Sequence, residues 1–185
     1  MISVVELNTN RLKLRQWQDS DKIAFADLNA DPDVMQYYPS ILSLEESNEL
    51  AEKIIDKMNT HGWGFWAVEK KEDKQFIGFV GLNEPTYELP VNPCVEIGWR
   101  LAKKHWGHGY ATEAAKTCLK FAFETLNLEN VFSFTSVSNL PSRRVMERLH
   151  MVNTKQNFEH PIIPENHILR EHVLYKIDKK AWKTY

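Results

Sequence analysis

The stretch with the clearest chemical potential is KKHWGHGYATEAAKTCLKFAFETL, residues 103–126, in which Gly107 and Gly109 immediately precede a helical pattern. A helix N-terminus leaves four backbone N–H groups without intrahelical partners, and the macrodipole adds about half a positive charge there. Two glycines at that point let the backbone approach an anion with no Cβ in the way. The same spacing also suits a plain tight turn, so the pattern alone leaves both readings open. Two nucleotide motifs are excluded. A phosphate loop would need Gly-Lys-Ser/Thr after a four-residue gap. A dinucleotide fingerprint would need a third small residue where Thr112 stands, at a first βα turn, whereas this turn follows three consecutive strands.

Other residues with suitable chemistry lie on either side of this turn. On the strand pattern CVEIGWRLA (94–102), period-two geometry puts Glu96, Gly98 and Arg100 on one face and Val95, Ile97 and Trp99 on the other. A carboxylate in a half-buried sheet can have a raised pKa and accept a proton, or it can pair with Arg100. Ser142 offers a hydroxyl that can donate a hydrogen bond or cap a helix, and Asn139 offers both donor and acceptor. His105 and His108 are candidate phosphate contacts or exposed loop residues. A zinc site at His105-x-x-His108 lacks further ligands nearby. His160 and His167, in HPIIPENH, are alternative bases.

Positioning these groups requires strands and helices in a definite order. RLKLRQW (11–17) alternates as a strand. DSDKIAFADLNAD reads as a helix capped by Asp19 or Ser20, burying Ile23, Phe25, Ala26 and Leu28. SLEESNELAEKIIDKMNTHG is a second helix, with a Ser43/Glu46 capping box, apolar Leu50, Ile54, Ile55 and Met58, and a stop at Gly62. The period then shortens to that of a hairpin, 63–71 and 75–85, followed by the strand 94–102. The helix over about 111–126 carries Ala111, Ala114, Ala115, Cys118, Leu119, Ala122 and Leu126 on one face. A strand (130–137), a helix with Pro141 in its first turn (139–151) and two strands near 152–159 and 168–177 complete a mixed α/β sheet. No linker or repeat interrupts the chain, so residues 1–185 read as one domain.

Composition removes several classes of function. The chain has 185 residues, 43% hydrophobic and 26% charged, with a net charge of −2. It carries no electrostatic footprint for nucleic acid or an anionic membrane. Cys94, placed on a strand, and Cys118, placed on the apolar side of a helix, read as two buried free thiols in a reducing compartment. No signal-type or membrane-spanning run is evident, and a cytoplasmic protein is the expectation.

VEIGWRLAKKHWGHGYATEAA closely resembles the coenzyme A site of the GNAT superfamily of N-acetyltransferases, in the branch containing the ribosomal-protein N-terminal (alanine/serine) acetyltransferases. The segment Trp106 to Ala111 matches the last four places of that family's pyrophosphate loop, and Trp106 stands where the general family has Gln or Arg, although WGxGYATEA is the usual form in this branch. VSNLPSRRVMERLHM resembles a second family motif through Asn139, Ser142 and Glu147. It departs from that motif at His150-Met151, which replace Gly-Phe, and at Met146, where many relatives carry a tyrosine acid. The resemblance runs from about Arg11 to Ile177. It implies a mostly antiparallel central sheet with splayed strands 4 and 5, flanked by about four helices.

The resemblance further implies direct transfer of acetyl from acetyl-coenzyme A to an amine, with no metal. The backbone of Gly107, His108, Gly109, Tyr110, Ala111 and Thr112 would hold the pyrophosphate, with His105 and His108 adding contacts. A backbone N–H near Trp99 to Leu101 would polarise the thioester, and Asn139 would contact the pantetheine. Glu96 is the implied base, and Ser142 would donate to the departing sulfur. The acceptor is a peptide N-terminus or a small amine, and the protein a monomer or homodimer. The alternative is a module that binds acyl-coenzyme A without catalysis.

Overall fold

The alternation and capping signals become elements in nearly the expected order in the computed structural model, which describes residues 2–182. A two-residue edge strand, β1 (Leu7–Asn8), precedes β2 (Leu12–Arg15), and two short helices follow, α1 (Asp21–Ala30) and α2 (Pro32–Met35). Helix α3 (Leu44–His61) has the full Ser43/Glu46 capping box and ends on Gly62 in the left-handed conformation, φ 76°. The hairpin forms β3 (Phe65–Lys70) and β4 (Phe76–Asn83), and then β5 (Glu96–Leu101). A 3-10 turn at Lys103–His105 leads into α4 (Tyr110–Glu124), β6 (Asn130–Ser136) and α5 (Leu140–Arg148). The chain closes with β7 (Val152–Asn153), β8 (Phe158–Glu159), β9 (Glu171–Asp178) and α6 (Lys179–Trp182).

One sheet carries the strands in the order β1-β2-β3-β4-β5-β6-β9-β7, with β8 also paired to β9. Every pair is antiparallel except β5–β6, which is parallel and has a single register pair, Glu96 with Phe132. These two strands are therefore paired only near the start of β5 and splay apart beyond it. They are the strands 4 and 5 of the expected fold, renumbered by the edge strand β1.

Helix α4 is the crossover that makes β5 and β6 parallel. Its Ala114, Ala115, Cys118, Leu119 and Ala122 are fully buried, and the small side chains let the helix axis lie close to the sheet. Beneath α1 and α3, Trp17, Phe25, Phe76 and Phe79 form an edge-packed aromatic group. A buried ion cluster ties this side together. Arg15 grips Asp21 through both terminal nitrogens (2.7 and 2.9 Å) and Glu69 through Nε (2.7 Å).

Four expectations need correction. Ile23 is 73% exposed, because Phe25, Leu28 and Asn29 take the inward side of α1 and position 23 falls two residues, more than half a turn, away. Ser20 occupies the N-cap position of α1 but makes no side-chain cap bond there. Cys94 lies just outside β5 and is half-buried, whereas Cys118 is fully buried. The strand expected near 152–159 is two short strands, β7 and β8, both paired to β9. Among the described residues no helix is long and apolar enough to cross a membrane.

Candidate active site

The splay between β5 and β6 follows from the hydrogen-bond register. Ala102 donates to Ile77 on β4, so the even-numbered amides of β5 face β4. Odd-numbered groups therefore face β6. Val95 O accepts from Phe132 N, and Ile97 O accepts from the Ser133 hydroxyl at 2.9 Å. Beyond that point β6 has moved away, and the backbone N–H groups of Trp99 and Leu101 turn toward the gap. Their side chains go to opposite faces from that of Arg100: Trp99 reaches α5, while Arg100 reaches α1.

Past the gap, the chain tightens into the glycine turn. The indole Nε1 of Trp106 donates to Leu101 O (2.8 Å), tying the turn to the end of β5. Gly107 and Gly109 both have left-handed φ, 79° and 78°. A Cβ on Gly107 would meet no protein atom within 4 Å, so the residue borders open space. Gly109 is the N-cap of α4 and supplies no side-chain acceptor, which leaves the first amides of the helix open. Around this end, Glu113 accepts from Thr9 and Arg11, and the Arg11 guanidinium lies 4.5 Å over the Tyr110 ring.

A cavity of about 970 Å³ joins the two features. Trp99, Leu101, His105, Gly107, His108, Gly109, Tyr110, Ala111, Thr112, Asn139 and Ser142 all line it. Three cations that sequence reasoning passed over also line it: Lys116 on α4, and Arg144 and Arg148 on α5. The i, i+4 spacing of the two arginines, one helix beyond the glycine turn, was the available signal. A glycine cradle, open helix amides and exposed cations together fit a polyanion such as a pyrophosphate.

His105 differs from an exposed loop histidine. It is buried, its Nε2 has no hydrogen-bond partner, and burial pushes its pKa below the ordinary value. It is a neutral backing for the turn. His108 is exposed and stacks on Tyr110, with centroids 5.6 Å apart.

At the start of α5 the side chains are already committed in part. Asn139 caps the helix, accepting from Ser142 N at 3.2 Å, and donates to Thr135 Oγ1 at 2.8 Å. The cap is thus Asn139, and Ser142 is released from that duty. The Ser142 hydroxyl oxygen accepts from Trp99 Nε1 at 3.1 Å. Its own proton is left to donate. Met146 is buried in the core, while Glu147 accepts from the Tyr175 hydroxyl at 3.2 Å.

Glu96 lies on the other sheet face and outside the lining of the large cavity. It is not paired with Arg100. Asn83 Nδ2 donates to Glu96 Oε1 at 2.6 Å, and Asn83 Oδ1 accepts from Lys57 at 2.7 Å. Burial pushes the carboxyl up to about 7, against the Asn83 hydrogen bond and the Lys57 charge, which pull the other way. His160 sits among Tyr87, Phe134, Phe158 and His172, and burial pushes its pKa down to about 4. His167 is used locally, accepting from Leu169 N at 3.2 Å.

Comparison with known proteins agrees with this geometry. Residues 11–152 match the acetyltransferase (GNAT) domain family. The chain belongs to the GNAT acetyltransferases. The uncharacterized protein YkkB of Bacillus subtilis is 31% identical over 167 residues, spanning 88% of this chain and 95% of that protein. The FsC-acetyl coenzyme A-N(2)-transacetylase of Aspergillus fumigatus is 28% identical over 183 residues, 95% of this chain and 77% of that one. A GNAT-family acetyltransferase structure from Bacillus anthracis superposes with a TM-score of 0.78 at 24% identity, covering 95% of this chain and 99% of that one. The ribosomal-protein-S5-alanine acetyltransferase from Vibrio fischeri superposes at 0.73 with 17% identity, covering 96% and 98%, a likeness of fold. This GNAT acetyltransferase thus has the splayed sheet expected of its family.

Proposed function

We propose that this GNAT enzyme transfers an acetyl group from acetyl-coenzyme A to a primary amine. The observation that carries the reading is the single cavity joining the open N-terminus of α4 to the gap between β5 and β6. Gly107 to Thr112 hold the pyrophosphate with backbone amides, while Lys116, Arg144 and Arg148 supply counter-charge. Acetyl-coenzyme A brings an activated thioester to the gap. The amide of Trp99 or Leu101 stabilises charge on the carbonyl oxygen as the amine attacks.

In the transfer, the amine nitrogen bonds to the acetyl carbon, and the carbon–sulfur bond breaks. The ammonium proton passes to Glu96 through water, since Glu96 is set back from the cavity. The Ser142 hydroxyl donates a hydrogen bond to the departing thiolate. Glu96 is favoured over His160 as base because its carboxyl titrates near neutrality while His160 is held neutral far below it. The printed name of the Aspergillus relative is consistent with acetyl-coenzyme A as donor. The acceptor is a peptide N-terminus or a small amine, the residues 1–185 act as one domain, and the enzyme works in the cytoplasm as a monomer or homodimer.

Melting the protein with and without acetyl-coenzyme A tests the donor assignment. A hundredfold excess over the dissociation constant stabilises the fold by about 2.7 kcal/mol. An unchanged melting temperature at millimolar ligand would remove the donor from the account.

A further inference from the structure

Arg100 is the one cation of β5, and its setting differs from the cationic groups near the glycine turn. Its guanidinium carbon lies 4.1 Å from the centroid of Tyr38 and 5.4 Å from that of Phe79. Nη1 donates to Asn29 Oδ1 at 2.6 Å, and Asn29 is itself fully buried and bonded to Ser47 at 2.9 Å. The fork is therefore fixed in plane and direction before any ligand arrives. Nε is buried with no hydrogen-bond partner among the described residues.

No carboxylate among the described residues pairs with Arg100. Asp33 on α2 is taken by Lys103 at 2.6 Å, and Glu96 is taken by Asn83. A half-buried charge with spare donors and no counter-ion is costly, and an anionic ligand relieves that cost. Arg100 lines the large cavity together with Val34, Tyr37 and Tyr38. It projects to the α1 side of the sheet, the side that Glu96 also faces, and away from Trp99 and α5. The phosphates of the donor have their own cations on α4 and α5.

We infer that Arg100 binds a carboxylate of the acceptor, so that the substrate class is an amine that also carries a carboxylate, such as an amino acid or an acidic peptide. The fork meets the carboxylate through Nη2 and the free N–H of Nη1, with Tyr38 closing over its π-face. This rests on the acetyl-transfer reading, which supplies the amine.

The test uses matched pairs of amines, each a free amino acid or acidic peptide and its amide, with acetyl-coenzyme A as donor. Wild type is expected to favour the carboxylate member. In R100Q that preference collapses, with kcat/KM for the carboxylate member falling on the order of 10- to 100-fold. R100K, which keeps the charge but loses the fork, recovers only part of it. The KM for acetyl-coenzyme A stays put in both variants. Equal loss on both members of each pair, or a rise confined to the KM for acetyl-coenzyme A, would overturn the inference, the second by assigning Arg100 to the donor's phosphates. A binding arm is independent of turnover. With coenzyme A present, N-acetyl amino acids should raise the melting temperature of wild type more than their amides do, and should not do so in R100Q. If no amine is turned over but this difference holds, the acetyl-transfer reading fails while the carboxylate site stands. If wild type responds equally to acid and amide, the carboxylate site fails.

Discussion

The indole N–H of Trp99 on β5 donates to the hydroxyl oxygen of Ser142 on α5, 3.1 Å away, across the mouth of the gap. One residue thus contributes an amide to the gap and, through its side chain, orients the hydroxyl on the opposite wall. With an acceptor position of Ser142 filled by Trp99, the Ser142 proton is directed to a third party. In the proposed reaction that party is the leaving sulfur.

Ser142→Ala is therefore expected to lower kcat on the order of 10- to 100-fold, the worth of one hydrogen bond to a charged atom. The KM for acetyl-coenzyme A should change little. Steady-state kinetics checks the split, and a fall in affinity with unchanged kcat would assign Ser142 to binding instead.

In the proposed mechanism Glu96 governs the pH dependence. A base must be deprotonated to act, so kcat/KM should rise with pH and level off above an apparent pKa of about 7. Glu96→Gln should remove that limb and lower the rate roughly 10²- to 10⁴-fold. The same group affects stability with the opposite sign. Its folded pKa is raised, so its contribution is full below the ordinary carboxylate range and is lost as pH rises toward 7. The Gln variant should show a flatter stability profile over that window, measured by denaturant titration.

Gly107 combines a left-handed φ of 79° with open space beyond it. Gly107→Val should cost about 1–2 kcal/mol in backbone strain and place a branched side chain in the anion cradle. The larger effect should be on the thermal shift given by coenzyme A, which should vanish. A variant that keeps the full shift would remove the turn from cofactor binding.

Arg15 bears on stability. Its guanidinium holds Asp21 and Glu69, both buried, and Arg15→Met leaves both carboxylates without a counter-charge, Asp21 keeping only its bond from the Gln18 amide. The expected loss is about 3–5 kcal/mol in a urea titration. A loss under about 1 kcal/mol would show that the cluster relaxes to take up water.

Most of the architecture was legible because period and capping agreed. The Ser43/Glu46 box, the Gly62 stop and the alanine-lined face of α4 are local signals that packing did not override. Ile23 misled because hydrophobicity alone does not say which side of a short helix faces inward. Cys94 misled because an apolar residue beside a strand pattern does not mark the strand's first hydrogen bond. Of the candidate site, the turn and its flanks could be read from Gly107 and Gly109. The spacing of Arg144 and Arg148 was visible in the chain, but their relation to the cavity was not, since it depends on how α5 packs beside β6. The link from Lys57 through Asn83 to Glu96 joins α3, β4 and β5, and no spacing in the chain reveals it.

Release of free thiol from acetyl-coenzyme A in the presence of a panel of amines tests the central claim most directly. Amine-dependent release, with the acetylated amine recovered in equal amount, is the predicted result. Stabilisation by acetyl-coenzyme A with no release above background for any peptide, amino acid or polyamine would contradict it, and would leave a protein that binds the donor without transferring its acetyl group.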